Sequence, residues 1–201
     1  MPQKGKIIMK RFFIGLGFFM ALLLAAPAHA DGPLDTVRQE IQKVLDVLRD
    51  SALSAEVKKE KLRTFYGQMF DEVEFSRRTL GANWRKFNPA QQQEFVRLFR
   101  DILEKAYINK LLAYTDEKII FGRETTLADD QAQVQTKVVT ASREIPIDYR
   151  VILKDGKWKV YDVIVENVSL VQNYRSQFRS ILAKDTPDQL LEILRKKVKE
   201  K

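Results

Sequence analysis

Residues 145–178 read IPIDYRVILKDGKWKVYDVIVENVSLVQNYRSQF, and this stretch decides the fold. Its beginning alternates apolar with more polar residues, which is the period-two pattern of a half-buried strand. Asp155-Gly156 follows between two β-rich runs. This dipeptide favours a two-residue hairpin turn, because such turns need positive φ at both positions. From Ser169 onward the apolar spacing is helical. The stretch predicts a β-hairpin that continues into an amphipathic helix.

Further helices are predicted on both sides of this stretch. Apolar stripes with helical spacing run through residues 34–48 and 62–73. Gly81 is predicted to end a helix, since Gly is common just after the last helical residue. A long helix is predicted to start at Asn88, where Asn can cap the helix, Pro takes the first helical position and Gln can reach back. The same pattern at Thr186 predicts the start of a last helix, which ends in a basic tail.

Two more strands are predicted before the hairpin, at residues 118–126 and 131–141, with a loop at 128–130. Together with the hairpin they give four antiparallel strands. Helices, then strands, then helices indicate an α+β architecture. We therefore expect a curled four-stranded antiparallel sheet with helices covering one of its faces.

The first thirty residues predict a secretory signal peptide that is cleaved. Residues 1–30 combine a basic start, an apolar run and the small-x-small sequence Ala28-His29-Ala30. The apolar run of about 15 residues is shorter than the roughly 20 that a spanning helix needs. An uncleaved anchor is the alternative interpretation. We expect residues 31–201 to be a single domain in an exported compartment.

Composition excludes several classes of function for residues 31–201. Four of the 35 Lys and Arg residues and none of the 27 acidic residues lie in 1–30, so the remaining chain has a net charge of +4. It contains no Cys and no His, because the one His is His29. Catalytic triads with His, Cys nucleophiles and the usual zinc or haem ligands are therefore excluded. A charge of +4 without a basic-aromatic stripe is weak support for nucleic-acid binding. We expect no cofactor, no metal and no nucleic-acid partner.

Three carboxylates on or at the ends of the hairpin strands are the most site-like acidic residues: Asp148, Asp162 and Glu166. A pair of carboxylates could act as the acid and base of a glycosidase. They can also face solvent or pair with Arg150 and Lys159 across strands, which we favour. No phosphate-binding glycine loop and no hydrolase motif accompanies them. We expect that the protein is not an enzyme.

Apolar and aromatic side chains are abundant in the predicted helices and strands. Such faces most often pack into a solid core. Helices laid over a curled sheet can also enclose an apolar pocket, which is a common kind of ligand site. The residues alone therefore leave two possibilities open, a carrier of an amphiphile and an interaction adaptor without a ligand.

Three runs of sequence stand out: FSRRTLGANWRKFNPAQQQEFVRLF at 75–99, the stretch at 145–178, and TPDQLLEILRKK at 186–197. The motifs FSRRTLG, IDYR, KDG-x-WKVYDV and SLV-x-NYRSQF occur in order across these runs. In these runs and motifs the sequence resembles the MlaC family, also called the toluene-tolerance family. Asn167 departs from the pattern, because the family commonly has Gly there.

The resemblance implies an NTF2-like cone fold with a deep hydrophobic pocket between sheet and helices. In this family the pocket holds phospholipid acyl chains and leaves the headgroup in solvent. The resemblance further implies a periplasmic shuttle in the Mla pathway, which maintains the lipid asymmetry of the outer membrane. Its expected partners are an outer-membrane lipoprotein–porin complex and an inner-membrane ABC transporter that carries an MCE ring.

We predict that the acyl chains contact apolar side chains that face the space between sheet and helices. These are Phe99, Leu103 and Tyr107, then Val134 and Val138, then Ile147, Tyr149 and Val151, and finally Val163, Val165, Leu170 and Tyr174. Core packing is the alternative role for each of them. Arg143 and Arg150 are predicted to lie near the pocket mouth and to attract anionic lipid or membrane partners, with solvated surface charge as the alternative.

Overall fold

The computed structural model describes residues 31–113 and 117–200. The predicted signal peptide at 1–30 lies outside these ranges, so both it and the extent of the mature domain stay predictions. Within the two ranges, no helix has both the length and the apolar character needed to cross a bilayer.

The described residues form six α-helices, one 3₁₀ helix and five strands. The helices are α1 (Pro33–Arg49), α2 (Ala55–Met69), α3 (Glu72–Leu80), the 3₁₀ helix (Gly81–Lys86), α4 (Pro89–Leu112), α5 (Leu170–Leu182) and α6 (Pro187–Lys199). The strands are β1 (Lys118–Ala128), β2 (Gln131–Val139), β3 (Glu144–Lys154), β4 (Lys157–Val165) and β5 (Val168–Ser169). The α+β class predicted from the order of elements is confirmed.

The sheet is antiparallel throughout, with the strands in chain order from β1 to β5. The predicted hairpin is confirmed, because Asp155 and Gly156 turn the chain with φ of 50° and 73°. The prediction of four strands is wrong by one. Glu166 and Asn167 form a second two-residue turn with φ of 49° and 67°, and the chain returns as the short strand β5 before α5 begins.

The first hairpin differs slightly from its prediction. β1 extends to Ala128, so the turn to β2 is confined to the two residues 129–130, and β2 ends at Val139. Irregular pairing in β1 and between β3 and β4 interrupts the ladders. Bulges of this kind bend a strand and increase its local twist. At Gly122 an added Cβ would lie 3.3 Å from the carbonyl oxygen of Gln135, so the chains pass closely at one irregular position.

The predicted helix starts are confirmed by their caps. Asn88 accepts a hydrogen bond of 2.9 Å from the backbone N–H of Gln91, whose side chain accepts one from the N–H of Asn88. Thr186 and Gln189 make the same reciprocal pair at the start of α6. Gly81, predicted to end a helix, ends α3 with φ of 57°. Short sequence patterns suffice here because each cap is satisfied within one turn.

Two large hydrophobic cores divide the domain, and a smaller cluster of Val47, Leu48 and Leu62 joins α1 to α2. The sheet core joins α1 and the end of α2 to one face of the sheet, and its buried members are Val37, Ile41, Leu45, Met69, Ala132, Val134, Val151 and Val160. The helical core comprises residues from α3 through α6, and its largest buried side chains are Phe75, Phe95, Phe99, Leu190 and Leu191. None of its buried members comes from a strand. Helices α3 to α6 therefore bury their apolar faces mainly against one another, and α3 and α5 also contact β4.

The two cores meet where α2 leads into α3. Phe70 packs against both of them. The next backbone N–H, of Asp71, donates a hydrogen bond of 2.9 Å to the carbonyl of Val160 in β4. The carboxylate of Asp71 accepts one of 2.9 Å from the N–H of Glu74, and it pairs with Lys154 at 2.8 Å. This short connection joins the helical core to the middle of the sheet.

Candidate ligand-binding site

The sheet register aligns most of the predicted strand residues on one face. Val134, Tyr149 and Val163 lie opposite one another across β2, β3 and β4. Ile147 and Val165 form the neighbouring pair. Because side chains on paired strands share a face at each register position, these residues all point to the side on which α1 packs. We call this side the inner face.

α1 covers only one end of the inner face. Val134 is 0% exposed and Val151 is 1% exposed, since both are closed into the sheet core. At the other end, five predicted lining residues remain half-buried: Val138, Ile147, Tyr149, Val163 and Val165. The uncovered end of the inner face is therefore an apolar surface that a ligand can reach.

Tyr149 lies on this surface and is partly buried against the sheet core. Burial raises the pKa of its phenol to about 12, because surrounding protein atoms disfavour the charged form. Tyr149 is therefore shielded from bulk water but is not closed into the core as Val151 is.

The helical residues predicted for the lining divide in the same way. Phe99 and Leu103 are fully buried in the helical core, whereas Tyr107, Leu170 and Tyr174 are half-buried at its rim. The Tyr174 ring packs edge-on against Phe99, with 4.9 Å between ring centroids. Burial raises the pKa of Tyr174, and the nearby phenol of Tyr107 adds to that rise. Two tyrosines thus lie close together at the edge of the helical core.

Eight of the twelve predicted lining residues therefore keep accessible surface, and four do not. The four closed residues are Phe99, Leu103, Val134 and Val151. Their complete burial favours a packing role for them in this conformation, because a ligand needs exposed surface to contact. The eight half-buried residues remain the candidates for direct lipid contact.

The two arginines predicted near the mouth have different surroundings. Arg143 is exposed and pairs with Glu166 at 3.2 Å beside the turn into β5. Arg150 lies on the face opposite Tyr149. There its Nε donates a hydrogen bond of 3.2 Å to Oε1 of Gln133, and its guanidinium pairs with the buried Asp162 at 3.4 Å. This placement favours a structural role for Arg150. Arg143 remains a candidate for the mouth.

The three carboxylates considered for hydrolysis are held separately. Asp148 accepts a hydrogen bond of 2.8 Å from the side-chain amide of Gln133, and Glu166 pairs with Arg143. Asp162 accepts hydrogen bonds at the start of α5. The cross-strand pairing favoured from the sequence is observed for Asp162, which pairs with Arg150 at 3.4 Å. Among the described residues, no group of three or more metal-ligating side chains is arranged to hold an ion.

A charged cleft of about 780 Å³ lies between α2 and α4. Ion pairs line it, with Arg63 to Glu104 at 3.0 Å and Arg100 to Glu72 at 3.8 Å. A second cleft of about 490 Å³ beside the Asp155-Gly156 turn is also lined largely by charged residues. Ligand pockets for apolar groups are lined mainly by apolar side chains. These clefts therefore do not suit an acyl chain.

The model of the MlaC protein family matches residues 38–196 of this chain. The chain belongs to the MlaC family. The resemblance identified from the three sequence runs is therefore confirmed. The matched range spans both cores, the whole sheet and the surfaces described above.

Two relatives within the MlaC group show how far the likeness extends. The chain is 24% identical over 196 residues to the intermembrane phospholipid transport system binding protein MlaC of Haemophilus influenzae, covering 92% of each protein. It is 32% identical over 107 residues to the toluene tolerance protein ttg2D of Pseudomonas putida, covering 52% of this chain and 49% of that protein.

A solved structure shares the fold. A phospholipid-binding protein from Ralstonia solanacearum, determined in complex with a phospholipid, aligns with a TM-score of 0.76 and 21% sequence identity. The alignment covers 84% of this chain and 97% of that one. This confirms helices packed with an antiparallel sheet. The closer likeness to NTF2-like cones stays a prediction.

Some residues of the candidate site were not predicted from sequence. Ile119 and Phe121 in β1 lie opposite Val138 and Thr136, so they extend the inner face, and both are half-buried. The run Ile119-Ile120-Phe121 is apolar at three successive positions, so no alternation marked its inner face. Phe70 belongs to the predicted apolar stripe at 62–73, but its contact with both cores depends on how α2 and β4 meet.

Proposed function

We propose that this chain is a periplasmic carrier that holds the acyl chains of a phospholipid against the uncovered end of the inner face. The observation that carries the proposal is the group of half-buried apolar residues at the uncovered end of that face. Support comes from the shared fold of the Ralstonia solanacearum phospholipid complex and from the name of the Haemophilus influenzae relative, a phospholipid transport system binding protein.

The physical need for such a carrier is large. Moving an acyl chain out of a bilayer costs about 0.8 kcal/mol per CH₂, so a chain of about sixteen carbons costs roughly 12 kcal/mol. An apolar protein surface removes most of this cost by replacing the bilayer. A headgroup that stays in water needs no matched partners in the protein. Half-buried residues such as Ile147 and Val163 suit this arrangement because they can be covered by a chain without unfolding the cores.

The proposed carrier exchanges lipid between two membrane systems. Its partners would be the outer-membrane lipoprotein–porin complex and the inner-membrane ABC transporter with an MCE ring, and its role would be to maintain outer-membrane lipid asymmetry. Neither a cofactor nor a catalytic step is part of the proposal. The name of the Haemophilus influenzae relative, which places that protein in an intermembrane phospholipid transport system, supports this role.

The test is the lipid content of the protein as the cell makes it. The full chain is expressed with its own first thirty residues, purified from the exported fraction without detergent, and examined by native mass spectrometry and organic extraction. Near-stoichiometric phospholipid is the expected result. Folded protein without lipid would contradict the proposal and would favour the alternative, an interaction adaptor with no ligand.

A pair of matched variants tests the position of the site. The double variant I147N/V163N places two asparagine side chains on the inner face of β3 and β4. The double variant I152N/I164N places two asparagine side chains on the opposite face of the same strands. All four residues are half-buried, so the cost to folding is comparable. Only the first variant should lose co-purified lipid. Equal lipid content in the two folded variants would show that the inner face is not the site.

A further inference from the structure

Two stretches of the chain carry positive charge without any carboxylate. Residues 75–93 and 167–184 contain no Asp and no Glu. Their seven basic residues are Arg77, Arg78, Arg85, Lys86, Arg175, Arg179 and Lys184. The rest of residues 31–201 has 24 basic and 27 acidic residues. The net positive charge of that range therefore comes entirely from these two stretches.

The fold brings the two stretches together. α5 packs against α3 and the 3₁₀ helix. The guanidinium of Arg175 donates a hydrogen bond of 2.8 Å from Nε to the carbonyl oxygen of Arg78 at the end of α3. The same side chain passes over Gly81, where an added Cβ would lie 3.6 Å from Nε. Distant parts of the sequence thus form one surface.

We call this surface the cationic face, and it consists of Arg77, Arg85, Lys86, Arg175 and Arg179, all of which are exposed. Its charge is largely uncompensated. Arg77 shares the single carboxylate of Glu74 with Arg78. Within residues 31–113 and 117–200, the other four members of the face have no carboxylate within ion-pair distance. By contrast, Arg195 on α6 is paired with Glu94 at 2.8 Å.

The face lies next to the proposed lipid site. Leu170 and Tyr174, which are candidates for lipid contact, and the exposed Arg175 and Arg179 all belong to α5. The remaining exposed positions of α5 are neutral: Gln172, Asn173, Ser176, Gln177 and Ser180. One helix therefore presents apolar residues to the site and an unopposed positive charge to its surroundings.

We propose that the cationic face docks on the anionic headgroup layer of a phospholipid bilayer. Four of its five members are arginines, and guanidinium groups bind phosphate through paired hydrogen bonds. The negative potential of an anionic bilayer attracts such a cluster, and no carboxylate on the face opposes the approach. Docking in this orientation brings the α5 end of the lipid site to the membrane. The use of this orientation for lipid transfer rests on the proposed carrier function, whereas the binding of the cationic face to a bilayer does not.

The test measures binding to vesicles with purified protein from which lipid has been extracted. Phosphatidylglycerol-rich vesicles and pure phosphatidylcholine vesicles are compared by co-sedimentation. The variant R85E with R179E reverses two charges on the face, and neither side chain makes an ion pair with another residue in the part of the chain that the structure describes. The control, K61E with R123E, makes the same charge change at exposed positions of α2 and β1. β1 lies at the edge of the sheet opposite β5 and α5.

The wild type and the control are expected to bind phosphatidylglycerol-rich vesicles and to release them as salt rises, because salt screens exposed charges. The variant R85E with R179E is expected to bind these vesicles with an affinity at least about tenfold lower than that of the wild type. Equal weakening in the two variants would overturn the proposal, since it would show an effect of net charge alone. Absence of wild-type binding would also overturn it and would leave an acidic protein surface as the partner of this face. The lipid content of the same variants reports on carriage separately.

Discussion

Ser169 donates a hydrogen bond of 2.6 Å from Oγ to Oδ2 of Asp162, and this contact joins the start of α5 to β4. Asp162 is 1% exposed, and its other oxygen accepts a hydrogen bond of 3.0 Å from the N–H of Val171. Ser169 also caps α5 by accepting one of 3.0 Å from the N–H of Gln172. The helix that carries Leu170 and Tyr174 is thereby attached to the strand that carries Val163 and Val165.

Removing this joint should destabilise the domain measurably. S169A deletes the cap and leaves a buried carboxylate oxygen with fewer donors, so we expect the free energy of unfolding to fall by about 1–2 kcal/mol. Urea denaturation followed by circular dichroism measures the change. S176A is the control, because Ser176 is exposed within the same helix. A loss of equal size in both variants would show that the joint contributes little.

Phe99 should matter for stability more than for lipid binding. It is 1% exposed and packs against the rings of Phe75, Phe95, Tyr174 and Phe178. F99A should lower the free energy of unfolding by about 3–5 kcal/mol, since it removes a large buried ring and leaves a cavity. Folded F99A should still co-purify lipid. If it is stable but empty, Phe99 belongs to the lipid-contacting surface after all.

Asn167 tests the unexpected second turn. Its φ of 67° lies in the left-handed region, which costs a residue with a Cβ roughly 1–2 kcal/mol and which Asn tolerates better than most. We expect N167G to be at least as stable as the wild type. N167A should be less stable than the wild type, and N167V should be the least stable of the four proteins. Thermal unfolding of N167G, N167A and N167V measures the order. Equal thermal stability of all the variants would mean that the turn does not require a positive φ at position 167.

Alkaline pH should destabilise the protein through Tyr149. The phenol has a pKa of about 12 in the folded state because burial disfavours its ionised form, and of about 10 when unfolded. Between these values the unfolded state releases the proton and the folded state keeps it, so stability falls as pH rises. The expected loss is roughly 2–3 kcal/mol by pH values near 12.

The variant Y149F isolates this contribution. It should match the wild type near neutral pH and lose less stability above about pH 10, because the ionisable group is gone. Urea denaturation at a series of pH values makes the comparison. Parallel pH profiles for the two proteins would show that Tyr149 ionises as freely in the folded protein as in the unfolded chain.

The sequence by itself determined the local elements of this protein. The Asp155-Gly156 turn, the caps at Asn88 and Thr186 and the helix end at Gly81 all appear as predicted, since each depends on backbone preferences within a few residues. The family was also readable, because its motifs are contiguous. The turn at 166–167 was not predicted, because it places positive φ at Glu and Asn, and residues with a Cβ adopt that conformation less readily than Gly.

Only the tertiary structure decided which apolar residues are closed and which are open. Val151 and Tyr149 follow the same alternation in one strand, yet α1 covers the first and leaves the second accessible. Periodicity reports the face of an element but not what lies against it, so it could not separate core from site. The division into two cores, the contact of Phe70 with both, and the meeting of Arg175 with the end of α3 have the same origin. Each depends on packing between segments far apart in the chain, which no local pattern of residues encodes.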